Sequence, residues 1–475
     1  MLGNISPDGK QNEVLALPAK GHNVILGTAG SGKTTMALLR AIGLSYLPSS
    51  PKVLVVTFNR ALVQYMNNIT QKRLSNITIE NFHKFARGYL NSRNKMPSYN
   101  GIISKEFQKK RYIEKALSIV KKKYPEESTR QRPSNVFFDE ITFIQSFGFA
   151  NFEEYLSAER IGRASANIKR ENRKWFYEVF EVYKQLRHKR GYLYDWDDLA
   201  FYTYHEMSND PGPRRYDHII VDEGQDFSPM MIKALTSAVS ANGSFSFFGD
   251  VAQQIYGSRL SWRDSGINIQ DKKIWRFDRN YRNPSSISSF AEDITNNEYW
   301  VSKEDMVSPA ENIADGPKPV LVEFSSRERE ITWLLSQIKE LVKTSSNIII
   351  CRNRATVSSL RQALYEIGIK AKVIDKDHAG FANIKGVYLS TFHAAKGLEF
   401  ENVFIPFISE GIYPDLETIE NAVDVKGALS NELKLLYVAV TRSKYGLFMS
   451  FHGQLSRLFP VDSTNYQKIN EEELL

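Results

Sequence analysis

Gly27-Thr28-Ala29-Gly30-Ser31-Gly32-Lys33-Thr34 is the segment of the chain richest in chemistry. Its glycines let the backbone curl so that successive N–H groups point at one polyanion. Lys33 is then spaced to reach the β and γ phosphate oxygens, and the Thr34 hydroxyl to ligate magnesium. A bare Gly-rich turn is the alternative. The flanking residues argue against it, because the apolar run Asn23 to Leu26 precedes the loop and the helix-like stretch Met36 to Arg40 follows it. The segment therefore predicts a nucleoside triphosphate site, held by Gly27, Thr28, Ala29, Gly30, Ser31, Gly32, Lys33, Thr34 and Thr35.

A second group explains what happens at the phosphates. His218-Ile219-Ile220-Val221 runs straight into Asp222-Glu223, setting two carboxylates at the C-terminal end of a buried strand, where α/β sheets bind ligands. Asp222 suits a magnesium ion held through its water shell, and Glu223 suits a general base that polarises the attacking water. Gln225 and Asp226 extend the group. The next apolar run ends in Gly249-Asp250 followed by Gln253, a polar group placed to sense the γ-phosphate.

These residues need rigid elements to hold them. Apolar runs at Val53 to Phe58, His218 to Val221, Phe245 to Phe248, Asn347 to Cys351, Val387 to Phe392, Val403 to Phe407 and Leu447 to Phe451 read as buried parallel strands alternating with helices. That is the pattern of an α/β protein with two nucleotide-binding-type cores. Lys105 to Tyr124 and Ala158 to Tyr192 carry helical periodicity and split the first core. The expected division is residues 1–90 and 191–275 for the first core, 91–190 for a helical insertion, and 276–475 for the second core.

Composition narrows the class. With 475 residues, 42% hydrophobic and 24% charged, the chain has the make-up of a soluble globular protein with room for two or more cores. A net charge of +8 permits a polyanionic partner without requiring one. The single cysteine, Cys351, forms no internal disulfide, and a reducing cytoplasm fits. No apolar stretch reaches membrane-spanning length, and no signal-peptide pattern opens the chain.

Val221 to Asp226 and Gly249 to Gly257 resemble motifs II and III of the UvrD/Rep/PcrA DNA helicases, and the likeness continues in family order along nearly the whole chain. Gln11 stands where that family reads adenine. Thr57-Phe58 resembles motif Ia, and Asn81-Phe82-His83 resembles a DNA-contacting Thr-Phe-His element with Asn in place of Thr. Asn280-Tyr281-Arg282 is similar to motif IV, which implies that Tyr281 stacks on adenine and Arg282 reaches the γ-phosphate. Thr391 to Phe400 is similar to motif V, with His393 implied at DNA or in coupling the two sites, Gly397 at the nucleotide and Glu399 at the ribose. Leu436 to Arg442 is similar to motif VI, which makes Arg442 a second arginine finger. The resemblance implies two RecA-like parallel-sheet cores with ATP and Mg2+ in the cleft between them, and 3′-to-5′ movement on DNA.

Arg282 and Arg442 lie far from Lys33 in sequence, so they reach a triphosphate only across such a cleft. Phe58, His83, Tyr256, Arg259 and Trp262 are candidates to stack on or grip a single strand, together with Thr57 and His393. Ser258 stands where the family commonly has a stacking aromatic, and Trp262 is the nearest substitute. Only about forty residues separate Cys351 from Thr391, too few for the second inserted subdomain of the family. The expected activity is an ATP-dependent DNA translocase or helicase acting on single-stranded or tailed duplex DNA. The alternative is a DNA-stimulated regulatory ATPase of a repair or phage-defence complex, working with a protein partner such as a nuclease.

Overall fold

The computed structural model describes residues 6–57, 75–96, 101–127, 131–158, 168–212, 215–253, 262–301, 306–374, 384–420, 422 and 424–474. The chain starts with α1 (Gly9–Leu15), then β1 (Gly21–Gly27), α2 (Lys33–Ser45), β2 (Val53–Thr57), β3 (Ile77–Glu80) and α3 (Phe82–Ser92). Asn81 caps α3, its side chain accepting from Lys84 N at 2.9 Å, a task that Asn and Thr share. The chain then leaves the sheet through β4 (Ile102–Ile103), α4 (Glu106–Lys123), α5 (Ser134–Phe147), α6 (Phe152–Ser157) and α7 (Arg173–Lys189). It returns by β5 (Tyr194–Asp195), α8 (Leu199–Ser208), β6 (Tyr216–Asp222), α9 (Pro229–Ser237), β7 (Val239–Gly249) and β8 (Ile269–Phe277).

The first sheet has strand order β3-β2-β6-β7-β1-β8 and is parallel throughout. Alternate residues point to opposite faces, and both faces are covered. Val24, Leu26, Leu54, Val56, Ile219 and Val221 pack on one side, and Ile25, Val53, Val55 and Ile220 on the other. That double burial is why these strands read as unbroken apolar runs.

The helices α4 to α7 carry a separate core built on Ile113, Leu117, Phe137, Ile141, Phe176 and Tyr183. A buried charged knot ties them to the sheet domain. Arg187, wholly buried, meets Asp195 at 3.1 Å and Asp198 at 2.6 Å, while Asp195 also accepts from Tyr183 Oη and from Gln145 Nε2. Lys109 reaches Asp197 at 2.5 Å, so every charge in the knot has a partner.

From β8 the chain passes through β9 (Arg279–Pro284), α10 (Ser285–Thr295), β10 (Glu311–Ala314), β11 (Val320–Phe324), α11 (Arg327–Leu341), β12 (Ser346–Cys351), α12 (Arg354–Glu366) and β13 (Lys372–Val373). It ends with β14 (Gly386–Thr391), β15 (Phe400–Ile405), α13 (Leu416–Glu420), α14 (Val425–Val440), β16 (Ser443–His452) and β17 (Gln467–Asn470). The second sheet, in order β13-β14-β12-β15-β16-β11-β17, is again all parallel. Ile348 and Ile350 face one side and Ile349 and Cys351 the other. Burial pushes the Cys351 thiol pKa up, so it behaves as a small apolar side chain.

The seven apolar runs of the sequence all fall on strands of these two sheets. Phe392 and Phe407 lie just past strand ends, and Phe58 lies outside the described residues. Between Cys351 and Thr391 the described residues form α12, β13 and β14. Among the described residues no helix is long and apolar enough to cross a membrane.

Candidate nucleotide site between the two sheets

The phosphate loop follows β1 and ends at α2, whose N-cap Gly32 is left-handed at φ 79°. Gly30 is also left-handed, at φ 74°, and has a second reason to lack a side chain. A Cβ there would lie 2.3 Å from Asn280 Oδ1 and 2.6 Å from Arg282 Cβ. The β9 strand thus presses its Asn280-Tyr281-Arg282 segment directly on the loop, and Tyr281 N donates to Gly30 O at 3.0 Å.

Lys33 is buried and folded over its own loop, with Nζ donating to Gly27 O at 2.9 Å and Thr28 O at 2.6 Å, and with Asp250 at 3.6 Å. Thr34 Oγ1 donates to Asp222 Oδ2 at 2.8 Å. Asp222 Oδ1 is buried and has no hydrogen-bond partner among the described residues. Burial and the neighbouring Glu223 carboxylate push Asp222 up to about 7. An orphaned carboxylate oxygen beside a hydroxyl is a donor set that fits a hard divalent cation, which would reverse that shift. Thr34 and Asp222 are the residues that would hold magnesium.

Glu223 stands at φ 53°, a left-handed position that turns its carboxylate out of the strand direction. Its Oε2 accepts from Gln225 Nε2 at 2.5 Å. Burial opposes its ionisation, but Lys396, Lys33, the Gln225 hydrogen bond and Arg442 outweigh that and hold its pKa below the usual carboxylate range. It is ionised at neutral pH.

The second core and the β9–β10 pair supply the remaining cations. Arg442, at the end of α14, is 1% exposed; its Nε donates to Val438 O at 2.8 Å and its Nη2 to Gln253 Oε1 at 3.0 Å. Gln253 in turn donates through Nε2 to Asp250 Oδ2 at 2.8 Å, so one amide joins the second sheet's arginine to the carboxylate beside Lys33. Burial and the nearby Arg282 lower Arg442 to about 10, leaving it cationic at neutral pH. Arg282 pairs with Glu399, which also meets Lys444 at 2.9 Å. Burial disfavours a charged Glu399, yet Arg282 and Lys444 prevail and hold it at about 2.

Gln11, on α1, donates from Nε2 to Ser31 O at 3.1 Å, and the Tyr281 hydroxyl donates to Asp8 Oδ1 at 2.5 Å. Gly397 is left-handed at φ 80°, in the turn that carries Glu399. Thr35 is half-buried in the first turn of α2. Of the residues proposed for a strand of nucleic acid, Thr57 is wholly buried, paired in register with Asp222. His83 packs edge-on against Trp196 with ring centroids 5.0 Å apart, and Trp262 does so against Phe247, also at 5.0 Å. His393 is half-buried just past β14. Phe58, Tyr256 and Arg259 lie outside the described residues.

Sequence reasoning passed over Lys396. Its Nζ meets Asp226 Oδ1 at 2.5 Å and Gln253 O at 2.7 Å, an ion pair from the second sheet to the carboxylate group of the first. Its position inside Thr391 to Phe400 was the available signal. Asp250 was noted only as a strand end, yet it lies between Lys33 and Gln253.

A phosphate loop in one parallel-sheet core, faced by arginines held against a second such core, defines a two-core P-loop nucleotide-binding protein. Residues 8–276 match the UvrD/REP helicase N-terminal domain, and residues 275–381 and 376–454 match the UvrD-like helicase C-terminal domain. The chain belongs to the UvrD/REP helicase family. It is 24% identical over 463 residues to a Mycoplasma pneumoniae protein named "Probable DNA helicase", covering 90% of this chain and 80% of that one. It is 25% identical over 399 residues to DNA helicase II of Haemophilus influenzae, covering 78% of this chain and 51% of the relative. The chain thus spans most of the first relative and about half of the second.

Proposed function

We propose that this protein is an ATP- and magnesium-dependent motor that moves 3′-to-5′ along single-stranded DNA. One observation carries the reading: Arg442 of the second core is bonded to Gln253, which is bonded to Asp250 beside Lys33 of the first. Charge at the γ-phosphate position is therefore felt by both cores. In this reading Lys33 and the loop amides hold the phosphates, Thr34 and Asp222 hold the metal, and Glu223 takes the proton of the attacking water. Arg282 and Arg442 stabilise the charge that grows on the transferring group. Gln11, Tyr281, Gly397 and Glu399 take the base and ribose. Loss of the γ-phosphate removes what both fingers grip, so the cleft relaxes once per turnover. Magnesium, if bound at Thr34 and Asp222, would supply positive charge to offset that of the phosphates.

The test is ATPase turnover with and without single-stranded DNA, with Lys33→Ala as the inactive control. Strong stimulation that fades with added salt supports the motor, since phosphate contacts release counterions. No stimulation refutes it. The compact α12, β13 and β14 connection favours a second reading, a DNA-stimulated regulatory ATPase with little unwinding of its own, in a repair or phage-defence complex with a nuclease or similar partner. Single-turnover opening of tailed duplexes, with a trap against rebinding, separates the two: efficient opening of long duplexes by the isolated chain rules the second out.

A further inference from the structure

The Asp8 carboxylate holds two residues of β9 that lie 271 and 273 positions away from it in sequence. Its Oδ1 accepts from the Tyr281 hydroxyl and its Oδ2 from Arg279 Nη1, each at 2.5 Å. Lys10 and Asp278 add a second tie between the same two segments at 2.6 Å. Asp8 is also the residue just before α1, and its backbone N donates to Gln11 Oε1 at 3.4 Å.

Both ends of the Gln11 amide are therefore engaged, Oε1 by an N–H and Nε2 by the Ser31 carbonyl. Only one flip state satisfies both neighbours, because an N–H needs an acceptor and a carbonyl needs a donor. In that state Gln11 retains one lone pair on Oε1 and one N–H on Nε2. Those two groups match an adenine edge, which offers an amino donor at N6 and an acceptor at N7. A guanine edge offers acceptors at both O6 and N7, so its O6 opposes the Gln11 oxygen. Tyr281 is 38% exposed, and its hydroxyl is fixed by Asp8.

We infer that Asp8 is a positioning residue for base selection: its carboxylate sets the spacing between the Gln11 amide and the Tyr281 ring, and thereby favours ATP over GTP. The inference rests on the proposed ATPase reading and names its specificity element. Substitution should act on nucleotide recognition and leave chemistry at Glu223, which Asp8 does not bond, nearly unchanged.

The experiment compares Asp8→Ala, Asp8→Asn, Tyr281→Phe and the double variant Asp8→Ala/Tyr281→Phe, with ATP and GTP each varied at saturating single-stranded DNA. Asp8→Ala should raise KM for ATP about tenfold, change kcat by less than about threefold, and lower the ATP-to-GTP ratio of kcat/KM about tenfold. Asp8→Asn keeps an acceptor for Tyr281 and should recover most of the ratio. Tyr281→Phe keeps the ring and loses the tie, so the double variant should be no worse than Asp8→Ala. A ratio within twofold of the parent in Asp8→Ala overturns the inference. So does a parallel fall in kcat for both nucleotides, which marks loosened structure alone. Full turnover in Lys33→Ala is a different result, and it removes the ATPase reading itself.

Discussion

Arg442→Lys keeps the positive charge and removes the fork, which makes it a sharp test of the arginine finger. In the parent, Nε is committed to Val438 O at 2.8 Å and Nη2 to Gln253 Oε1 at 3.0 Å, while Nη1 lies 3.4 Å from Leu398 O. A lysine ammonium is a single point on a flexible stem and cannot bond Val438 and reach Gln253 together. The charge is then present but not aimed at the transferring phosphoryl group. Arginine fingers contribute at least about a thousandfold to kcat, equal to about 4 kcal/mol of barrier. Arg442→Lys should therefore lower DNA-stimulated kcat by about that factor, with KM for ATP changed less than about threefold, because the contact matters most in the transition state. Losing charge-assisted bonds to buried carbonyls also costs about 1.5–3 kcal/mol each in folding stability. Melting curves must accompany the kinetics, and rates must be read well below either midpoint. Arg442→Lys with more than about a tenth of parental kcat would falsify the assignment.

Lys33→Ala should abolish hydrolysis, whereas Glu223→Gln should still bind nucleotide and turn over several orders of magnitude more slowly; equal loss of nucleotide binding in both, measured by fluorescence titration, contradicts the assigned roles. Gly30→Ala must place a Cβ 2.3 Å from Asn280 Oδ1 at a φ of 74°, so it should weaken nucleotide binding more than tenfold and lower Tm, and unchanged binding would show that β9 yields easily. Glu399 has a folded pKa of about 2 against an ordinary 4.5, so the stability it contributes is complete above pH 4.5 and is lost as pH falls toward 2. The Tm difference between the parent and Glu399→Gln should thus be constant from pH 6 to 8 and shrink on acidification below 4.5; a constant difference down to pH 3 refutes the Arg282 and Lys444 pairing.

The sheets were legible because parallel strands buried on both faces need continuous apolar residues, as in His218 to Val221 and Asn347 to Cys351. β8 was not legible, since Gln270-Asp271-Lys272-Lys273 lacks that pattern and the strand occupies an edge of its sheet. The loop and the carboxylates stood out through local spacing, and the arginines through the resemblance of Asn280-Tyr281-Arg282 and Leu436 to Arg442 to family motifs. Pairings such as Lys396 with Asp226, 170 residues apart, and Tyr281 with Asp8, 273 apart, have no local signature, because the tertiary fold alone brings the partners together. Asn81 illustrates the middle case: its departure from the family pattern stood out in sequence, and the cap it makes explains why the change is tolerated.

β9 and β10 lie side by side in parallel, Arg279 opposite Glu311 and Asn280 opposite Asn312, and they join the two sheets. Before β10 the chain packs Trp300 into the second core and Val307 back into the first, so the connection is crossed more than once. The two paired strands form a short strip between the cores, its register shifting between Asn312 and Ala314. Arg282 belongs to the strip itself, while Arg442 rides at the end of α14, carried by the second core. If the cores close about this connection, Arg282 sits at the pivot and moves little, while Arg442 travels with the second core.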